Sequence, residues 1–91
     1  MIPIPLSRYI IKPHARLEMK RRQITEEQIA AVLSAPEQVE QVRTGRNVYQ
    51  SRLNFDDPPK IYLLRVFVDV DCDPAEVVTV YRTSKLSKYW S

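Results

Sequence analysis

The chain has 91 residues, 44% of them hydrophobic and 27% charged, and its formal net charge is +3. This length predicts one domain over residues 1–91, with an extended arm at 1–6 and a C-terminal tail at 84–91. The single cysteine excludes an internal disulfide and a cysteine-based zinc site, and it is typical of the reducing cytoplasm, where we expect the protein to act. No apolar stretch approaches the length of a membrane-spanning helix, which is about 18 residues or more, so we expect no membrane partner.

The first predicted elements are a short strand over residues 8–12 and a helix that begins at Pro13. Proline suits the first helical position, where its missing N–H is not needed, and it favours an extended conformation in the residue before it. Ala15 and Met19 are four residues apart, so we expect both to face the core.

The same helix carries the only histidine, His14, at the junction between strand and helix. Glu18 follows one turn later and is predicted to orient the imidazole ring, with Arg21 a further turn away. A titratable ring beside several cations is typical of a site for a phosphate-bearing substrate. The alternative is that these charges form a solvated helix face.

A second helix is predicted over residues 26–34. Thr25 and Gln28 have the spacing of a capping box, in which each side chain bonds the backbone N–H of the other. Pro36 ends the helix. Its polar face is acidic and would repel a phosphate backbone, so we expect a structural role for it.

Beyond this helix the hydrophobic period changes to two, which predicts strands at 38–43 and 47–53. Gly45, the only glycine, lies between them and predicts a tight hairpin turn with positive φ. Residues 54–60 contain consecutive prolines and are predicted to form a loop.

Two long apolar strands are predicted at 61–70 and 76–83. Arg65 lies in the middle of the first and is predicted to face away from the core, with Tyr81 roughly across from it. On an open sheet face Arg65 would bind phosphate; the alternative is a stem over apolar surface with its charge in solvent. The side chains predicted to face the core are Leu64, Val66, Val68, Val70, Val78 and Val80.

The tail interleaves basic and aromatic side chains, a composition typical of RNA binding by phosphate pairing and base stacking. Lys85 and Lys88 are predicted on one side of the tail. Trp90, on the other, is predicted to pack on the sheet or to contact a partner.

The motif formed by His14, Ala15, Met19, Arg22 and Ile24 resembles that of a family of small bacterial domains of unknown function, and the resemblance covers residues 9–85. The family is regarded as similar to the RelE/ParE toxin superfamily. This resemblance implies an α+β fold with two N-terminal helices packed on a four- to five-stranded antiparallel sheet. It also implies a toxin with a protein antitoxin as its partner.

Our leading hypothesis is a metal-independent RNA endonuclease of a toxin–antitoxin system, an mRNA interferase without a cofactor. Such an enzyme needs a proton-transfer group, which we assign to His14, and cations to stabilise the charged transition state. The alternative is a non-catalytic protein-interaction module or a ParE-like inhibitor of a protein target. The predicted catalytic side chains are His14, Arg46, Arg65, Tyr81 and Lys85. The predicted RNA-binding side chains are Arg16, Lys20, Arg43, Arg82 and Lys88.

Overall fold

A computed structural model of the protein describes residues 4–55 and 59–90. Residues 1–3 of the predicted arm, 56–58 of the predicted loop, and Ser91 lie outside the described residues. The elements, in chain order, are β1 (Tyr9–Ile11), α1 (Pro13–Arg22), α2 (Glu26–Ser34), β2 (Gln38–Arg43), β3 (Arg46–Phe55), β4 (Lys60–Asp69), β5 (Ala75–Thr83) and α3 (Leu86–Tyr89).

The five described strands form one sheet in the order β1-β5-β4-β3-β2. The pairs from β2 to β5 are antiparallel, as expected, but β1 pairs parallel to β5, with Tyr9 opposite Ala75. The sheet is therefore mixed, and the expectation of a purely antiparallel sheet is wrong on this point. The cause is that the chain leaves β1 through α1 and joins the sheet again at its far side, so β1 pairs with the last strand and not with a hairpin neighbour.

Helices α1 and α2 cover one face of the sheet, here called the core face. Ala15 and Met19 of α1 are buried there, as predicted, beside Val66 and Val80 of the sheet. Helix α2 has the predicted bounds and the predicted capping box at Thr25. In the described ranges no helix is long and apolar enough to cross a membrane.

A β-bulge alters the predicted face of part of β5. The register between β4 and β5 shifts between Phe67 and Val68, so that Val68 lies opposite Val77. Val77 is consequently buried in the core, whereas Val78, which was predicted to be inside, is only half-buried. Val70 was also predicted to be inside, but it follows the end of β4 and is exposed.

The hairpin between β2 and β3 turns at Gly45, as predicted. Its φ is +82°, in the region that glycine adopts without steric cost. A Cβ atom at this position would lie 2.5 Å from Oδ2 of Asp71, so the turn also needs the missing side chain for space.

Candidate anion-binding site on the sheet face opposite the helices

The face of the sheet opposite the helices carries a polar row that crosses four strands. It consists of Gln38, Gln50, Arg65 and Tyr81, which are consecutive partners in the register of β2, β3, β4 and β5. Because side chains alternate along a strand, these four point away from the core-facing positions such as Val66 and project from the same face. The predicted placement of Tyr81 across from Arg65 is confirmed.

Hydrogen bonds join the polar row from end to end. Nε of Arg65 donates to Oε1 of Gln50 at 2.9 Å, and Nη1 of Arg65 donates to the hydroxyl of Tyr81 at 2.5 Å. Nε2 of Gln50 donates to Oε1 of Gln38 at 2.7 Å. The guanidinium is thus held between two neutral side chains in a fixed orientation.

Arg65 is a half-buried cation to which no carboxylate of the described residues is paired. Its Cζ atom lies 4.5 Å from the ring centroid of Tyr89, 5.4 Å from that of Phe67 and 5.6 Å from that of Tyr81. Among the described residues no buried side-chain nitrogen or oxygen lacks a hydrogen-bond partner. Since Nη2 of Arg65 makes no hydrogen bond within these ranges, it reaches solvent, where an anion can meet it.

The C-terminal segment crosses this face beside the polar row. Nε2 of Gln50 also donates to the backbone oxygen of Tyr89 at 3.1 Å. The guanidinium of Arg52 lies 4.3 Å from the ring centroid of Trp90 and is held in turn by two hydrogen bonds to the carboxylate of Glu37. Trp90 therefore packs back on the sheet, one of the two predicted outcomes, and it brings α3 close to Arg65.

Tyr81 and Tyr89 form an interacting pair at the end of the row. The hydrogen bond from the Tyr81 hydroxyl lowers the pKa of Tyr89 below the ordinary tyrosine value, and this effect outweighs partial burial, which raises the pKa. The nearby charges of Lys88 and Arg65 lower the pKa further. The ionised form of Tyr89 is therefore favoured by its surroundings.

His14 does not join this site. It lies exposed on α1, and α1 packs through Ala15 on the core face, whereas Arg65 projects from the opposite face. The predicted grouping of the imidazole with the sheet cations is therefore wrong. Sequence periodicity gives the faces of each element separately, but not which side of the sheet a helix will cover.

The carboxylate of Glu18 does not hydrogen-bond His14, contrary to the prediction, but bonds two arginines. Its two oxygens accept hydrogen bonds from Nη1 of Arg21 at 3.0 Å and from Nε of Arg22 at 2.9 Å. The bond from Arg22 is the main reason why the pKa of Glu18 is lowered.

Two further predicted catalytic cations have different surroundings. Arg46 is on the same face as Arg65, but it forms a double hydrogen bond with the carboxylate of Asp69, at 2.6 and 3.1 Å. This ion pair leaves it poorly suited to bind phosphate. Lys85 is exposed at the N-terminal boundary of α3, four residues before Tyr89.

The predicted RNA-binding cations are spread over the molecule and do not form one surface. Arg16 and Lys20 lie on α1, where Arg16 pairs with Glu26, and Arg43 lies at the hairpin turn. Arg82 stacks 4.4 Å from the ring centroid of Phe55. Lys88 lies beside the Tyr89 ring, with its Nζ atom 5.4 Å from the ring centroid.

Gln50 and Tyr89 are site residues that sequence reasoning missed. The sequence held no clear signal for Gln50, which is fully buried, because β3 contains other polar residues such as Asn47 and Ser51. Tyr89 had no signal either, since the path of the tail depends on contacts distant in sequence. Among the described residues no group of three or more His, Cys, Asp or Glu side chains is arranged to hold a metal ion.

A comparison with protein families confirms the expectation of a family of unknown function. A family model described as a domain of unknown function (DUF4258) matches residues 11–82. No curated protein and no solved structure matches the chain.

Proposed function

We propose that this chain, which belongs to the DUF4258 family of domains of unknown function, is a metal-independent RNA endonuclease that acts through the polar row. The observation that carries the proposal is Arg65, a half-buried guanidinium that is oriented by neutral partners and has no paired carboxylate among the described residues. A cation held in this way has its charge available for a phosphate.

The first step of the proposed mechanism is the binding of the scissile phosphate by Arg65. Nη2 is the open donor, and the rings of Phe67 and Tyr89 flank the guanidinium. Aromatic rings beside a cation suit single-stranded RNA, because a base can stack on a ring while the guanidinium binds the phosphate.

The second step is transfer of the phosphoryl group to the ribose 2′-oxygen. Tyr89, in its ionised form, takes the proton of the 2′-hydroxyl, and the 2′-oxygen forms a bond to phosphorus. Arg65 stabilises the additional negative charge on the phosphoryl oxygens. The bond to the 5′-oxygen breaks, and that oxygen takes a proton from the ammonium of Lys85, the residue that precedes α3. The products are a 2′,3′-cyclic phosphate and a 5′-hydroxyl.

The proposal extends to the biological context. Two helices on one face of a sheet and a basic, aromatic site on the other support a RelE/ParE-like architecture. We propose a toxin that cleaves cytoplasmic RNA and has a protein antitoxin as its partner.

The experiment that tests the activity is cleavage of a labelled single-stranded RNA by the purified protein in the presence of a metal chelator. We expect Arg65→Gln to lose about 100-fold in rate, because a donor to the developing charge is removed. Arg65→Lys is expected to lose much of the activity too, since an ammonium cannot bond Gln50, Tyr81 and phosphate in one plane.

Arg8→Gln is the matched control. It removes the same charge from a pair in which both Arg8 and Asp73 are highly exposed. Equal cleavage by the wild-type protein, Arg8→Gln and Arg65→Gln, with the folds verified by circular dichroism, would contradict the assignment of Arg65. Growth arrest with intact RNA would favour a protein target instead.

A further inference from the structure

Gln50 is a buried polar side chain on the face opposite the helices, and both ends of its amide are hydrogen-bonded. Its accessible surface is 0%, and its hydrogen-bond partners Gln38, Arg65 and Tyr89 belong to three other elements. Burying an amide in this way costs free energy unless it is hydrogen-bonded, and here both of its ends are.

The partners of Gln50 fix the orientation of its amide. Oε1 accepts from Nε of Arg65, and Nε2 donates to the side chain of Gln38 and to the backbone oxygen of Tyr89. A flipped amide would place a donor against the Arg65 donor and an acceptor against two acceptors. The orientation is therefore determined by its surroundings and not by a choice between equal alternatives.

Since Gln50 bonds both Arg65 and the segment that carries Tyr89, we infer that it is the positioning residue that holds the anion-binding guanidinium and the C-terminal helix in one relative geometry. This inference rests on the proposed function, because it assigns Gln50 a role in the same site. Gln50 touches no substrate itself; it acts through Arg65 and Tyr89.

The contacts of α3 make this role specific. The helix has four residues, none of them buried. Gln50 bonds the backbone oxygen of Tyr89, the Tyr81 hydroxyl bonds the Tyr89 side chain, and the neighbouring Trp90 rests on Arg52. The Gln50 bond holds the backbone at Tyr89, so without it the ring is held through side-chain contacts such as that with Tyr81, and its position over the guanidinium is less fixed.

The test compares Gln50→Met with the wild-type protein and with Ser51→Ala. Methionine keeps the length and much of the volume of glutamine but removes both hydrogen-bonding ends. Ser51 is the next residue of β3, is buried, and accepts from the backbone N–H of Glu37. Ser51→Ala therefore removes one buried hydrogen bond from the same strand without touching Arg65, and it controls for general destabilisation.

Three quantities are measured on each folded protein. The first is the Nε–Hε signal of Arg65 in ¹⁵N NMR, with and without inorganic phosphate. The second is the titration of the Tyr89 hydroxyl, followed by ¹³C NMR of the labelled ring. The third is the pair kcat and KM for cleavage of single-stranded RNA.

For Gln50→Met we expect the Arg65 signal to exchange faster with water and the Tyr89 titration to move towards the ordinary tyrosine midpoint. We expect kcat to fall by about tenfold or more with a smaller change in KM, because misplacement of reacting groups lowers the chemical step. Ser51→Ala is expected to leave all of these values as in the wild-type protein.

If Gln50→Met does not fold, Gln50→Glu is the second variant. Glutamate keeps an acceptor for Arg65 but cannot donate to Gln38 or to the backbone oxygen of Tyr89. The titration of the Tyr89 hydroxyl is therefore still expected to respond to the loss of this hydrogen bond. An unchanged Tyr89 titration in either folded variant would overturn the inference, as would an unchanged kcat. A wild-type protein that cleaves no RNA would overturn the proposed function, and the phosphate and tyrosine measurements would then still decide whether Gln50 holds Arg65 and α3 together.

Discussion

The ring of Tyr89 stands nearly perpendicular to the ring of Tyr81, at 73°, with 6.1 Å between their centroids. The two residues come from different elements, α3 and β5, and the Tyr81 hydroxyl that accepts from Arg65 also lowers the pKa of Tyr89. The guanidinium and the Tyr81 hydroxyl thus both favour the ionised form of Tyr89, the first through its charge and the second through a hydrogen bond.

The first prediction concerns pH. If ionised Tyr89 is the base, kcat/KM rises with pH. The midpoint of this rise lies below the ordinary pKa of tyrosine, because the pKa of Tyr89 is lowered in the folded protein. Tyr81→Phe removes the main cause of that shift, so its midpoint is expected at higher pH. The pH–rate profiles of the two proteins provide the measurement, and coincident profiles would argue against Tyr89.

The second prediction concerns His14. Since it lies on α1, on the opposite side of the sheet from Arg65, His14→Ala is expected to cleave RNA at the wild-type rate. Tyr89→Phe, which keeps the ring and removes the hydroxyl, is expected to lose activity. A folded His14→Ala protein without activity would contradict this prediction and show that the imidazole takes part in the mechanism.

The third prediction concerns the hairpin turn at Gly45. Gly45→Ala is expected to lower the free energy of unfolding by about 1–2 kcal/mol, because alanine is strained at positive φ. The contact of its Cβ with Asp71 adds to this cost. Urea denaturation measures the change, and Thr44→Ala, in the same turn, is the control, with an expected change within about 0.5 kcal/mol. Equal stabilities of the two variants would refute the steric explanation.

The fourth prediction concerns the ion pair between Arg46 and Asp69. The hydrogen bonds from Arg46 lower the pKa of Asp69 in the folded protein, so the pair stabilises the fold at neutral pH. This stability is lost as the pH falls through the lowered folded-state pKa. The difference in unfolding free energy between wild type and Asp69→Asn should therefore be largest near pH 7 and should shrink in strong acid.

The control for this pair is Asp73→Asn. Asp73 pairs with Arg8, but both side chains are highly exposed, and such pairs contribute little. We expect no measurable pH-dependent difference for it. A constant effect of Asp69→Asn from neutral to acidic pH would show that the side chain acts through packing and not through its charge.

Much of the local structure was predictable from short-range signals. The capping box at Thr25 placed α2, and the lone glycine at residue 45 placed the β2–β3 hairpin. The parallel pairing of β1 was not predictable in this way, because its partner β5 lies more than sixty positions further along the chain. The bulge beside Val78 was missed because a strict alternation in β5 cannot include an extra residue.

The site was predictable only in part. A cation in the middle of an apolar strand indicated Arg65, and strand parity placed Tyr81 beside it. The roles of Gln50 and Tyr89 depend on where the tail crosses the sheet, and no local pattern encodes that path. For the same reason His14 was grouped with residues from which the sheet separates it.

The parallel pairing of β1 with β5 bears on how the protein is made. Among the described residues, the strand partners of residues 9–11 are residues 75–77, so this edge cannot form until residue 77 has left the ribosome. Docking of α1, which rests on β5, has to wait for the same event. Ordering of β1 and α1 therefore comes late in folding, and a chain stalled before residue 75 would present the buried side of α1 to chaperones.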